Sequence, residues 1–91
     1  MRPDATGWVT RSMLIRLTTV DDYFASFIGP LAEKNAHIRH AIEARRQEVQ
    51  AILLPGDELW EWQRGRALAA DGGLAVVRGD LVVKAWHDWL S

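Results

Sequence analysis

Histidine and carboxylate side chains recur on one face of a predicted helix in the first half of the chain. Glu33, His37 and His40 are separated by four and three residues, so they share a helical face. Imidazole and carboxylate groups bind zinc, and this spacing would allow a site with three protein ligands. The next turn of that face carries Ala44, which supplies no fourth ligand. We therefore predict solvated polar residues and no metal ion, and a small metal-binding protein or enzyme that uses His37 and His40 stays open as an alternative.

A second candidate for chemistry is the pair His87-Asp88 near the C-terminus, which could act as an acid and a base. Such catalysis needs a nucleophile or a substrate within hydrogen-bond reach. No serine stands in a nucleophile-elbow sequence, and Gly72-Gly73 lacks the other glycines and the lysine of a phosphate-binding loop. The chain has no cysteine, which leaves no thiolate chemistry and no disulfide framework. The sequence predicts no catalytic residue, no cofactor and no enzyme activity.

Charge and hydropathy narrow the class of partner. The formal net charge is -1, with 11 basic and 12 acidic residues interspersed, whereas a nucleic-acid surface usually shows a basic excess. A nucleic-acid-associated regulator that uses the Arg39, Arg45 and Arg46 side of the long helix stays the alternative. No apolar run approaches the ~20 residues that span a bilayer, and the first residues contain no signal-peptide core. We expect a cytoplasmic protein that contacts no membrane.

Two helices are predicted behind a flexible tail at residues 1–7. In residues 8–18, apolar side chains alternate with polar ones, which favours a half-buried strand over a short helix without deciding between them. Thr18-Thr19 before two acidic residues predicts the start of a short helix that ends at Gly29. A long helix is predicted from Pro30 to Leu54, with an apolar stripe of Leu31, Ile38, Ile42, Val49 and Leu53.

A three-stranded antiparallel sheet is predicted in the second half. Residues 57–64 form the first strand, and residues 73–78 and 81–89 form a hairpin around Gly79-Asp80, whose glycine suits a type II′ turn. That turn sets a register that pairs Val77 with Val82, Val76 with Val83 and Ala75 with Lys84.

Both faces of this hairpin are apolar. One carries Leu74, Val76, Leu81, Val83 and Ala85, and the other carries Ala75, Val77, Val82 and Trp86, broken by Lys84. The helices are expected to pack on one face of the sheet. The other face needs a cover, which is the N-terminal segment, a second copy or a different protein.

Tryptophan marks the predicted contact surface, because it is large, amphipathic and enriched at binding hot spots. The chain has five tryptophans, and Trp60 and Trp62 share one face of a strand. Whether these two are core or interface stays open. The predicted partner-binding residues are Trp60, Trp62, Val77, Val82 and Trp86.

The sequence PGDELWEW at residues 55–62, followed by GLAVVRGDLVV at residues 73–83, resembles the C-terminal part of small uncharacterised bacterial proteins. In these, a GDELWE strand precedes a hairpin similar to GLALVRDGRVV. The resemblance covers roughly the last 35 residues. It implies a bacterial or mobile-element origin and a β-meander, and it carries no activity.

Together these patterns predict a single α+β domain over residues 1–91, with a short and a long helix packed on the sheet and an N-terminal strand as a possible addition. The predicted function is that of a non-enzymatic protein–protein interaction module, with a homodimer as one form of association. A narrower version is a phage- or plasmid-borne inhibitor of a host or defence protein, similar to an anti-CRISPR.

Overall fold

The computed structural model describes residues 6–25, 36–65 and 69–90. The chain divides into two compact units, which we call the sheet unit (Met1–Leu17 with Pro55–Ser91) and the helical unit (Thr18–Leu54). The α+β class is confirmed. The prediction of one domain, and that of helices packed on the sheet, stay predictions.

The helical unit contains helices α1 (Val20–Tyr23) and α2 (Ala36–Ile52). The predicted threonine cap is Thr19, whose hydroxyl accepts a hydrogen bond from the backbone N–H of Asp22 at 3.1 Å. On α2, Val49 is fully buried and Ile42 is partly buried, so the apolar stripe is confirmed where it is deepest. The predicted helix boundaries at Gly29 and Pro30 lie outside the described residues.

In the described part of the sheet unit, the strands follow the order β1-β2-β3-β4, and β5 also pairs with β3. The sequence predicted β2 and the β3–β4 hairpin, and the ambiguous segment 8–18 contains a short 3-10 turn followed by β1. The predicted last strand is divided, because pairing with β3 stops near Trp86 and resumes in β5. The strand bounds are Leu14–Thr18 for β1, Glu58–Arg64 for β2, Asp71–Arg78 for β3, Leu81–Ala85 for β4 and Trp89–Leu90 for β5.

A β-bulge changes the predicted register of the hairpin. Val77 pairs with Val82 as predicted, and Gly79 has the positive φ, 61°, that the turn requires. Beyond this pair, the register shifts between Val76 and Val77 because Val83 is an extra residue on β4. The predicted pairs of Val76 with Val83 and of Ala75 with Lys84 are therefore wrong: Val76 pairs with Lys84, and Ala75 with Ala85.

The bulge also moves Lys84, Ala85 and Trp86 to the opposite face of the sheet from the one predicted. Ala85 pairs with Ala75 and therefore lies on the same face, not on the face of Leu74. The Trp86 N–H donates to the carbonyl of Leu74 at 2.9 Å, which places Trp86 beside Leu74 rather than beside Ala75. A single inserted residue reverses these predictions, since strand side chains alternate with a period of two.

The cover of one sheet face is the N-terminal segment Thr6–Met13, which we call the strap. The Thr6 hydroxyl accepts from the Ala85 N–H at 3.1 Å and donates to its carbonyl at 3.5 Å. Val9 is 5% exposed and packs in a core cluster with Trp62, Ala75 and Ala85. Of the three covers that the sequence left open, the structure provides the first. Thr6 is held by these bonds, whereas residues 1–5 of the predicted tail lie outside the described residues.

Gly73 on β3 is a site of close backbone approach. A Cβ atom built on Gly73 would lie 2.0 Å from the carbonyl oxygen of Trp86. We expect Gly73→Ala to lower the free energy of unfolding by about 1–3 kcal/mol, because the backbone after β4 must move away. Urea denaturation measures this loss, and an unchanged midpoint would contradict the close approach.

Candidate functional site

The predicted partner-binding residues divide into a buried and a partly exposed group. Trp62, Val77 and Trp86 are 0%, 2% and 1% exposed. Trp60 and Val82 are partly buried and keep some accessible surface. Trp62 is thus a core residue. The partner-binding role of the set stays a prediction, and in this conformation only Trp60 and Val82 are accessible to a partner.

A charged cluster lies beside this core. Arg64 and Asp71 are register partners at the ends of β2 and β3. The Arg64 guanidinium donates from Nε to Asp71 Oδ1 at 3.1 Å and from Nη2 to Oδ2 at 2.7 Å. His87 Nε2 is hydrogen bonded to the same Oδ2 at 2.9 Å. The sequence grouped His87 with Asp88, whereas the structure brings His87 to Asp71.

Aromatic rings enclose the cluster. The Trp8 ring lies 4.6 Å from the Arg64 guanidinium carbon, which is the geometry of a cation–π contact. Trp8 also meets Trp62 edge-to-face, with ring centroids 5.1 Å apart. The His87 ring lies 6.0 Å from Trp62 and 6.3 Å from Trp8. The strap is therefore attached to the sheet through Trp8 at the place where the charges meet.

The electrostatics of the cluster favour an ionised Asp71. The hydrogen bonds from Arg64 lower the pKa of the Asp71 carboxyl, and burial opposes this shift without reversing it. Because His87 Nε2 is hydrogen bonded to Asp71, the carboxylate orients the imidazole ring. The other ring nitrogen, Nδ1, has no hydrogen-bond partner among the described residues. The hydroxyl of Ser12, the serine within the described ranges, is hydrogen bonded to Thr10 at 2.8 Å. The arrangement links the strap with two strands of the sheet.

The predicted helical cluster is only partly described. His37 and His40 are exposed on α2, and Glu33 lies outside the described residues. Within residues 6–25, 36–65 and 69–90 no group of three or more His, Cys, Asp or Glu residues could hold a metal ion.

The basic side of α2 carries less free charge than its sequence suggests. Arg46 is paired with Asp21, which links α2 to α1, and Arg45 Nε lies 3.5 Å from Glu48 Oε1. Arg39 lines a shallow groove in which Glu43 also stands. Nucleic-acid binding depends on arginines that are free to meet phosphates, so these pairings offer it little support.

The surface that sequence reasoning missed is the outer edge of the sheet. Met13, Ile15 and Leu17 alternate with polar residues, which predicts a buried apolar side. That prediction is wrong for two of the three: Ile15 is 53% exposed and Leu17 is 55% exposed. Between them, Arg16 donates from Nε and Nη2 to the Glu61 carboxylate at 2.9 and 3.1 Å. We call Ile15, Arg16 and Leu17 the β1 edge.

Comparisons of the chain with protein-family models, with curated proteins and with solved structures found no match. In the part of the chain that the structure describes, no helix has the length and apolar character to cross a membrane.

Proposed function

We propose that this chain is a protein–protein interaction module that adds the β1 edge to a strand of its partner. The observation that carries the proposal is the exposure of Ile15 and Leu17 on β1, which is an edge strand of the sheet. Side chains two residues apart share a strand face, so the two form one apolar strip. An edge strand with such a strip pairs readily with a strand from another molecule.

The contrast between the two edges of the sheet supports this choice. The β4 edge carries two protective devices, a bulge at Val83 and the Thr6 hydroxyl that occupies the N–H and carbonyl of Ala85. The β1 edge has neither among the described residues. The charged residue of the β1 edge, Arg16, forms an ion pair with Glu61 on β2. Its charge is therefore directed at β2 and does not keep another strand away from the backbone of β1.

The narrower proposals concern origin and role. The resemblance of residues 55–83 to small bacterial proteins supports a bacterial or mobile-element source. The small size of the chain, 91 residues, and its apolar sheet support a cytoplasmic inhibitor of a host or defence protein as the role of the module. Such a role does not use the charged cluster of Arg64, Asp71 and His87, so the proposal requires no catalysis.

Site-specific photocrosslinking tests the proposed function. We expect a benzoylphenylalanine introduced in place of Leu17 to form adducts with another chain, and the same group in place of Leu81 to form none. Leu81 is the matched control because it is a leucine of the same sheet that is 69% exposed. The adducts should disappear when Ile15→Lys is added. Absence of adducts at position 17, or equal adducts at both positions, would reject the β1 edge as a docking surface.

A further inference from the structure

We infer that the sheet face beneath the strap is a peptide-binding groove, and that the strap is its intramolecular occupant. The ligand class is a short peptide that carries a hydroxyl, a glycine, an aromatic ring and a branched aliphatic side chain at four successive positions. The strap shows this pattern in Thr6-Gly7-Trp8-Val9. The walls of the groove come from β2, β3 and β4 and not from the exposed side chains of the β1 edge, so it is a second binding surface.

The strap is attached to the sheet through side chains. The Thr6 hydroxyl bonds to the N–H and the carbonyl of Ala85 at 3.1 and 3.5 Å, and the Val9 side chain is buried in the core cluster. From Gly7 to Thr10, the strap backbone makes no hydrogen bond to the sheet in the part of the chain that the structure describes. The strap therefore contacts the sheet as a bound peptide does and not as a paired strand.

The hydrogen bonds of the strap are separate from those of the sheet. The Ala85 N–H donates to Thr6 of the strap, whereas the next N–H along the chain, that of Trp86, donates to the Leu74 carbonyl of β3 at 2.9 Å. Opening of the strap breaks the first bond and leaves the second in place. Local openings of this kind need less free energy than global unfolding. The strap can thus leave the groove while the strands stay paired.

Two positions of the groove select the hydroxyl and the aliphatic side chain. At the first, Ala85 presents an N–H and a carbonyl together, and a hydroxyl satisfies both because it donates and accepts. At the second, Val9 packs with Trp62, Ala75 and Ala85 and is 5% exposed. A charged side chain at this second position would be buried without a partner, which is costly.

The other two positions favour an aromatic ring and a glycine. The Trp8 ring stacks on the Arg64 guanidinium at 4.6 Å and meets Trp62 edge-to-face. Two hydrogen bonds to Asp71 hold Arg64 in place for this contact. Gly7 has a φ of 99°, a conformation that other residues rarely adopt. The groove therefore selects a hydroxyl, a glycine, an aromatic ring and a branched aliphatic side chain in that order.

The covalent tether makes the strap an autoinhibitory occupant. A segment joined by a short linker competes at an effective concentration of about 1 mM, so a free peptide of the same sequence meets a groove that is already filled. The apparent affinity for such a peptide is reduced to the fraction of molecules whose strap is open. A variant with a weakened strap should therefore bind the free peptide more tightly.

Fluorescence anisotropy with a fluorescein-labelled peptide of residues 6–13 tests the inference on the full chain. We expect the protein variant Val9→Ser to bind this peptide with a Kd at least ~10-fold lower than the wild type, since its own strap competes less well. Leu81→Ser is the matched control, because Leu81 is 69% exposed, and it should bind as the wild type does. Circular dichroism confirms that each variant is folded. Equal affinity of Val9→Ser and the wild type, or equal affinity for a peptide that carries Val9→Asp, would overturn the inference.

Amide hydrogen exchange of the wild type provides a second test that needs no variant. We expect the protection factor of the Ala85 N–H to be at least ~10-fold below that of the neighbouring Trp86 N–H, because the strap opens before the strands separate. Equal protection of the two amides would mean that the strap leaves only when the sheet unfolds, and the groove would then not be a binding site.

Discussion

Replacement of Trp62 by alanine is expected to lower the free energy of unfolding by about 3–5 kcal/mol, a large fraction of the stability of a small domain. The Trp62 side chain is fully buried between the sheet and the strap, in a cluster with Val9, Ala75 and Ala85. Its indole Nε1 donates to the carbonyl of Trp86 at 3.0 Å. The variant loses apolar burial, leaves a cavity and removes the hydrogen bond to that carbonyl. Urea denaturation followed by circular dichroism measures the loss.

Trp60 offers the matched control for this experiment. It stands two residues away on the same strand face, is partly exposed, and its indole Nε1 donates to exposed Glu58 at 3.3 Å. We expect Trp60→Ala to cost less than half of what Trp62→Ala costs. Trp62→Phe keeps most of the aromatic volume and removes the hydrogen bond with a small part of the buried ring, for about 1–3 kcal/mol. Equal losses in the two alanine variants would contradict the burial of Trp62.

The strands and the hairpin turn could be predicted from the sequence, but the β-bulge that decides on which sheet face each side chain lies could not. Gly79-Asp80 allowed the hairpin turn and its first pair to be predicted, because a two-residue turn determines the register next to it. The bulge at Val83 has no local sequence signal, since valine suits a regular strand equally well. One inserted residue was enough to place Trp86 on the other face.

The candidate site was predicted only in part, for two physical reasons. Apolar residues on both faces of the hairpin correctly indicated a missing cover, but periodicity cannot distinguish the strap from a second chain. Arg64 and Asp71 meet because β2 and β3 pair in a register that became visible only in three dimensions. The β1 edge was missed because a strand sequence does not show which of its sides is exposed. Alternation indicates that one side of a strand is apolar, and it does not show whether that side is covered.

The Asp71 carboxylate joins Arg64 and His87 in the charged cluster. Its side chain is 8% exposed and accepts hydrogen bonds from Arg64, with His87 bonded to the same oxygen. Asp71→Ala removes the acceptor that both side chains share and frees Arg64, on which Trp8 of the strap is stacked. Since breaking a buried ion pair by removing one partner typically costs about 3–5 kcal/mol, and Arg64 is half exposed, we expect about 3 kcal/mol. Asp80→Ala is the control, because Asp80 is 94% exposed and pairs with exposed Arg11, and its effect should stay within about 0.5 kcal/mol.

The pH dependence of stability separates the ionised carboxylate from simple packing. Because the pKa of Asp71 is lowered in the folded chain, its stabilising contribution is present above the unfolded carboxyl pKa of about 3.9. It is lost as the pH falls through the lower folded value. The difference in unfolding free energy between the wild type and Asp71→Asn should therefore be largest above about pH 5 and shrink progressively toward pH 2. The asparagine keeps the size of the side chain and cannot titrate, so equal unfolding free energies of the two proteins at every pH in this range would mean that Asp71 acts by shape and not by charge. In that case the strap is held by the packing of Trp8 and Val9 and by the bonds of Thr6 and Arg11, and the charge of Asp71 contributes nothing to holding it.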